Sequence, residues 1–333
     1  MLALISRINA FFVRYFPWLI LVAIAIGLKW GVDEDLTTFA GFIVAVNMFV
    51  MALKCSPQSF RDALRSPQRV VIATLLLFGV MPAISFVLAR TLLPAESGFG
   101  PGLILISALP AAVTSSVWTG IAGGNLSLNL TIIGTTTLLS GIVTPTLLSL
   151  LVGVFITVDT AALFRSLLVT VMIPVVLGVG LHNAFNRYVP QLGTPLELLV
   201  KIGICTILFI NGSVLGPYLQ EWGWLIAGFG SVVILQTTLA YALTYLLTRK
   251  VLRLLISDAV TMTFSVGMRN NGAGIVLALA HFGPVVAMPV IFSILAQQPI
   301  ASFMHRYVTG SVPDASPDVG PEARGAARAD VDA

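Results

Sequence analysis

Long apolar runs separated by short polar turnarounds fill most of the chain. Windows of roughly 20 residues predict ten membrane-spanning helices, near 16–32, 36–53, 70–93, 101–122, 126–152, 162–182, 198–217, 223–247, 259–281 and 284–305. The runs are continuous, whereas the strands of an outer-membrane barrel alternate with a period of two. In lipid each backbone polar group must be satisfied within its own segment, so these runs are read as helices. The first is not read as a cleaved signal peptide: Phe16 to Trp30 leads into Asp33, Glu34 and Asp35, and a second span follows at once. The stretch from Ser311 to Ala333 has almost nothing to bury and is expected to be disordered.

Ten spans divide into five and five, and an odd number per half forces the second half to enter the membrane upside down. The expected architecture is an all-α membrane protein of two inverted five-helix repeats. Residues 1–152 carry spans one to five, 153–310 spans six to ten, and 311–333 a cytoplasmic tail. Such repeats build midplane sites from discontinuous helices in corresponding positions. Span four contains Ser107, Pro110, Thr114, Ser115, Ser116 and Gly120, and span nine contains Ser265, Gly267, Arg269, Asn270, Asn271 and Gly272. Pro110 removes a donor and blocks helix continuation, and Gly267 and Gly272 each lower helix propensity by about 1 kcal/mol relative to Ala. Breaks are therefore expected at Pro110, Gly267 and Gly272. Small residues for tight helix packing are the blander reading; a matched pair, one carrying an Arg, favours a site.

Composition and charge sharpen this picture. The 333 residues are 57% hydrophobic and 10% charged, against about 25% charged in a soluble domain. With the N-terminus in the cytoplasm, fourteen of the 18 basic residues fall inside, Lys29, Arg90 and Arg165 fall outside, and Arg269 is left in mid-span. The positive-inside rule thus accounts for the net charge of +4 without a nucleic-acid partner. It places both termini in the cytoplasm of a multi-pass protein of the bacterial inner membrane. Cys55 and Cys205 lie in a loop and a helix, which argues against a disulfide.

The order of several short segments resembles the sodium/bile acid symporter family of ten-span carriers. These are Met51 to Arg61, Phe78 to Ala83, Pro110 to Ser116, Gly124-Asn125 and Val266 to Asn270, within a resemblance covering about residues 10–308. It implies a panel of spans 1, 2, 6 and 7 and a core of spans 3–5 and 8–10. Spans four and nine would cross at their breaks, with a small organic anion (bile-acid-like, carboxylate or sulfonate) held between core and panel by alternating access. The family places a Glu and a Gln around the break of span nine, with a Gln from span three, to hold two sodium ions. Here those positions read Ser265, Arg269 and Leu77, and the Ser-Asn pair of span four is Ser115-Ser116. Asn129 keeps a polar side chain on span five, but one turn later stands Ile133.

Sodium needs several oxygens and, at low dielectric, a compensating carboxylate. What remains as a sodium site is Ser115, Ser116, Asn129 and Ser265, and no other cofactor or metal is implied. Candidate substrate-binding residues are Arg269, Asn270, Thr114, Ser115 and Gln297, with Gln298 beside them. Arg269 has three readings: a tethered cation in a vacated sodium position, a counter-charge for the substrate, or a snorkelling side chain, which its mid-span position disfavours. Asn47 and Asn211 either line the panel side or glue helices together, and His182, His281 and His305 are placed at helix ends near the interface. No nucleophile with a base, metal cluster or paired carboxylates argues for an enzyme. A secondary carrier, weakly or not coupled to sodium, leads; an ordinary sodium-coupled symporter and an anion channel are the alternatives. The expected assembly is a monomer or weak homodimer.

Overall fold

The computed structural model describes residues 2–30, 34–53, 67–94, 97–153, 168–185, 189–222 and 225–310, with isolated positions between 155 and 165. The expected tail beyond residue 310 and Cys55 lie outside them. The described residues are helical, with no strand except one isolated antiparallel bridge between Ala111 and Arg269. In chain order the helices are α1 (Leu2–Lys29), α2 (Glu34–Leu53), α3 (Pro67–Leu92), α4 (Phe99–Ala108), α5 (Ser115–Ile121) and α6 (Leu126–Val152). They continue with α7 (Ile173–Phe185), α8 (Val189–Trp222), α9 (Leu225–Leu246), α10 (Ile256–Gly267), α11 (Asn271–His281) and α12 (Pro284–Gly310).

Five of these are long and apolar enough to cross a bilayer: Pro67–Leu92, Leu126–Val152, Leu192–Ile210, Ala227–Val251 and Pro284–Val308. The segments expected as spans four and nine are each divided in two, so neither half reaches about 20 residues alone. α1 starts fourteen residues before the expected first span, because nothing in Leu2–Tyr15 stops the helix. Large apolar side chains such as Phe42, Leu75, Leu150 and Phe303 are well exposed on the outside of the bundle, as a lipid-facing surface requires.

Two sets of helices pack together. α1 lies against α8 and α2 against α7, with α2 also touching α8. Both pairings close through glycine: the α-carbon of Gly27 abuts the α8 backbone, and that of Gly178 abuts α2 at Phe49 and Leu53. The second set holds α3–α6 and α9–α12 around a continuous apolar core that includes Phe99, Leu103, Ile104, Leu109 and Ile291. The two sets meet where α11 packs on α2 and α8, whereas α5 packs on α6 and α10.

Candidate functional site

The chain breaks between α4 and α5 and between α10 and α11, and the breaks lie against each other. Pro110 cannot extend α4, and Leu109 before it turns extended (φ −77°, ψ 150°). Gly267 ends α10, and Met268 is likewise extended (φ −106°, ψ 114°). The two extended pieces then satisfy one another as a strand pair would. Ala112 N donates to Met268 O (2.9 Å), and Asn270 N donates to Pro110 O (3.0 Å). Hydroxyls from α6 serve two further groups: Thr144 Oγ1 donates to Ala108 O (2.6 Å), and Ala111 N donates to Thr136 Oγ1 (3.3 Å). Backbone at this depth is tolerated only with such partners. Gly272, expected at the break, sits instead in the first turn of α11, because Asn270 caps that helix by accepting from Ala273 N.

Arg269 stands at the centre of the crossing and is 4% exposed. Its guanidinium donates to Leu109 O (3.0 Å) and Leu77 O (3.2 Å). The second carbonyl is free for a local reason. In the π-helical turn Leu76–Val80 of α3, Met81 N donates to Leu76 O, and the next residue is Pro82, which has no N–H. Leu77 O therefore lacks a donor from its own helix, and the arginine supplies one. Among the described residues no acidic side chain is paired with Arg269; the buried Asp258 of α10 lies 3.0 Å from Arg69 Nε and takes a bond from Asn125 Nδ2 (3.4 Å).

Beside the crossing, Asn129 Nδ2 donates to both Ser115 Oγ (3.0 Å) and Ser265 Oγ (2.8 Å), and Ser265 Oγ donates to Thr261 O (2.8 Å). Three of the four residues expected to retain a sodium site are thus bound to each other through an amide N–H. Ser116 folds back onto Val113 O (2.7 Å). Asn129 Oδ1 and Thr119 Oγ1 are buried with no partner among the described residues, but this donor set brings no carboxylate. A cation within about 5 Å of the guanidinium would meet roughly 3 kcal/mol of repulsion at an effective dielectric of about 20. The residues fit a hydrogen-bonded core better than a sodium cradle.

A cavity of about 620 Å³ lies between α1, α2 and α8 on one side and the crossing with α12 on the other. Its walls are mostly apolar, with Val44, Met48, Val200, Ile204, Ile294 and Leu295 among them. The polar edge is formed by Thr114, Asn270, Gln297 and Gln298, with Arg269 beside them. Three carboxamides on this edge have their orientation fixed by donors that can only donate. Gln297 Oε1 accepts from Arg269 N (2.9 Å), Gln298 Oε1 from Trp118 Nε1 (2.9 Å), and Asn270 Oδ1 from Ala273 N (3.4 Å). Their oxygens are engaged, so their –NH₂ groups are what remains to offer; that of Asn270 makes only a 3.9 Å contact with Met48 Sδ. Asn271 also lines the cavity, but its amide donates to Ser293 Oγ (3.0 Å) and Gln297 Oε1 (3.2 Å), and its oxygen is buried.

Of the expected substrate residues, Arg269, Asn270, Thr114 and Gln297 line the cavity. The guanidinium of Arg269 is spent on backbone carbonyls, however, and Ser115 is fully buried and turned to Asn129. His182 stands at a helix end, as expected, in the last turn of α7; it is buried against the end of α2, where its Nδ1 lies 2.7 Å from Leu53 O. The side chain of Asn211 lies outside the described residues. Two residues of the site were under-read from sequence. The π-helical turn at Leu77 is signalled by Pro82 in mid-span, and Asn47 by a lone amide in an apolar window.

Comparison with known proteins gives concordant matches. A family model described as the sodium bile acid symporter family matches residues 42–222. The Bacillus subtilis (strain 168) protein described as "uncharacterized sodium-dependent transporter YocS" is 32% identical over 298 residues, covering 87% of this chain and 90% of its own length. YbaS of the same organism is 30% identical over 280 residues, covering 83% of this chain and 88% of its own length. The Arabidopsis thaliana "probable sodium/metabolite cotransporter BASS1, chloroplastic" is 28% identical over 265 residues, 78% of this chain and 64% of its own length.

Proposed function

Because the chain belongs to the sodium bile acid symporter family, a family of membrane transporters, we propose that it is a secondary carrier of small organic anions with little or no coupling to sodium. The observation that carries this reading is the cavity's polar edge, which offers amide N–H groups while the opposite walls are mostly apolar. A carboxylate or sulfonate takes such donors, and an apolar body fills the remainder. The N-terminus of α11 adds partial positive charge at the same edge.

The inverted ten-span architecture belongs to the same proposal. Pairing span one with span six and span two with span seven relates the α1–α8 contact to the α7–α2 contact, each closed by a glycine. The panel is then α1, α2, α7 and α8, and the core is the rest. Among the described residues the pairing is unequal: α2 and α8 cover α11, and nothing comparable covers α5. With both termini cytoplasmic, the cavity opens inward on the α5 side. The repeat symmetry supplies an opposite state by exchanging those contacts.

The names borne by YocS and BASS1 favour sodium coupling, the alternative reading. Against it stand the arginine and the Asn129 amide, which put covalently attached N–H groups where mobile cations would have to bind and leave.

The test is uptake by purified protein in proteoliposomes, with matched acids and primary amides as competitors. Saturable uptake with counterflow exchange is expected, and acids should compete at least about tenfold better than their amides, about 1.4 kcal/mol. Non-saturating flux, or equal competition by acid and amide, contradicts an anion carrier.

A further inference from the structure

The panel wall carries one polar side chain into the cavity whose chemistry the anion reading leaves unused. Asn47 of α2 is 4% exposed, lines the cavity, and makes no hydrogen bond among the described residues. The helix it packs on offers it no side-chain partner. The neighbour across the helix boundary is Gly203 of α8, and a Cβ there would stand 2.7 Å from Asn47 Nδ2 and 2.8 Å from Oδ1. The residue opposite thus makes room for the amide and has no side chain to bond it. A carboxamide at membrane depth with neither end paired is costly, so such a group is expected to meet a ligand or water.

We infer that Asn47 is the panel's contact with the transported anion, and that it receives a hydroxyl group, so the carrier selects hydroxylated organic acids over their deoxy counterparts. This rests on the organic-anion reading and adds a second recognition point to it. The argument is complementarity. Asn270, Gln297 and Gln298 have their oxygens engaged and offer N–H groups, which suit the anionic head. Asn47 is different because both its donor and its acceptor are unengaged. A carboxylate could use only the nitrogen and would be repelled by the oxygen, whereas a hydroxyl donates to one and accepts from the other. A site built to hydrogen-bond a hydroxyl discriminates strongly against the analogue that lacks it, since its own polar atoms are then left unpaired. Met48, the next residue of α2, touches the Asn270 amide, so panel and core approach each other beside this point.

The experiment measures calorimetric dissociation constants on the purified full chain for 4-methylpentanoate and its 2-, 3- and 4-hydroxy derivatives. At least one hydroxy acid is expected to bind wild type about fivefold or more tighter than the parent acid. Asn47→Leu should bring that derivative back to within about twofold of the parent, and Asn47→Ser should retain part of the preference. Gly203→Ala, which displaces the amide without changing its chemistry, should shrink the preference and provides the answer if Asn47→Leu does not fold. Binding of all four acids with no preference in wild type, or a preference that survives Asn47→Leu or Gly203→Ala, overturns the hydroxyl contact alone. Failure of all four acids to bind overturns the anion reading beneath it.

Discussion

A guanidinium buried among apolar helices usually meets a carboxylate; Arg269 meets backbone carbonyls instead. Leu109 O is available because α4 has ended, and Leu77 O because Pro82 cannot donate within α3. One side chain therefore joins the break of one helix to the π-helical turn of another while belonging to the opposite break. Arg269→Met should strand two buried acceptors at about 1–3 kcal/mol each, lowering unfolding stability by roughly 2–6 kcal/mol. Arg269→Lys should cost less, because an ammonium still reaches one carbonyl. Denaturation of the purified variants in detergent measures both. A Met variant as stable as wild type would show that the carbonyls are satisfied without the arginine.

The two broken helices depend on which glycines are crowded and which are not. At Gly267 an added Cβ would stand 2.5 Å from the Cδ1 and Cε1 atoms of Tyr241, a fully buried ring. At Gly272 the nearest atoms would be 3.7 and 3.9 Å away. Gly267→Ala is expected to destabilise by about 1–3 kcal/mol through overpacking. Gly272→Ala should be neutral or stabilise slightly, as Ala for Gly does inside a helix. Thermal unfolding of the pair separates them, and equal effects would contradict this geometry. The contrast also marks how far the sequence could be read. Clusters of small and polar residues at Ser107–Gly120 and Ser265–Gly274 located both breaks, since nothing else in these apolar runs interrupts a helix. What they could not convey was direction. Ser115 and Thr114 are adjacent, yet one turns to Asn129 and the other to the cavity. That choice is made by the rotation of α5 against α6 and α10, which no local pattern records. Gly272 looked like a breaker because helix propensity is local, whereas the cap by Asn270 starts α11 just before it. Asn47 is left between lining the panel side and gluing helices because its opposing residue, Gly203, is more than 150 positions away in the chain.

At the scale of the whole molecule, the unequal covering of α5 and α11 makes a statement about sidedness. Val117 of α5 is 65% exposed, while Leu277 of α11 is 3% exposed. Cysteine placed at 117 in a cysteine-free background should react with a membrane-impermeant thiol reagent in inverted vesicles, and cysteine at 277 should not. Reaction of 117 only in right-side-out vesicles would reverse the proposed orientation. The larger claim concerns the driving force. A mobile sodium ion couples transport to its gradient because it binds and leaves; on the proposed reading the Arg269 guanidinium and the Asn129 amide stay in the crossing and hold it together. The most direct test is binding of a transported organic anion by calorimetry, with sodium replaced in turn by potassium and by choline at equal ionic strength. The account predicts dissociation constants that change less than about threefold, a difference below about 0.7 kcal/mol. A strong, saturable sodium requirement in the wild-type protein would contradict it.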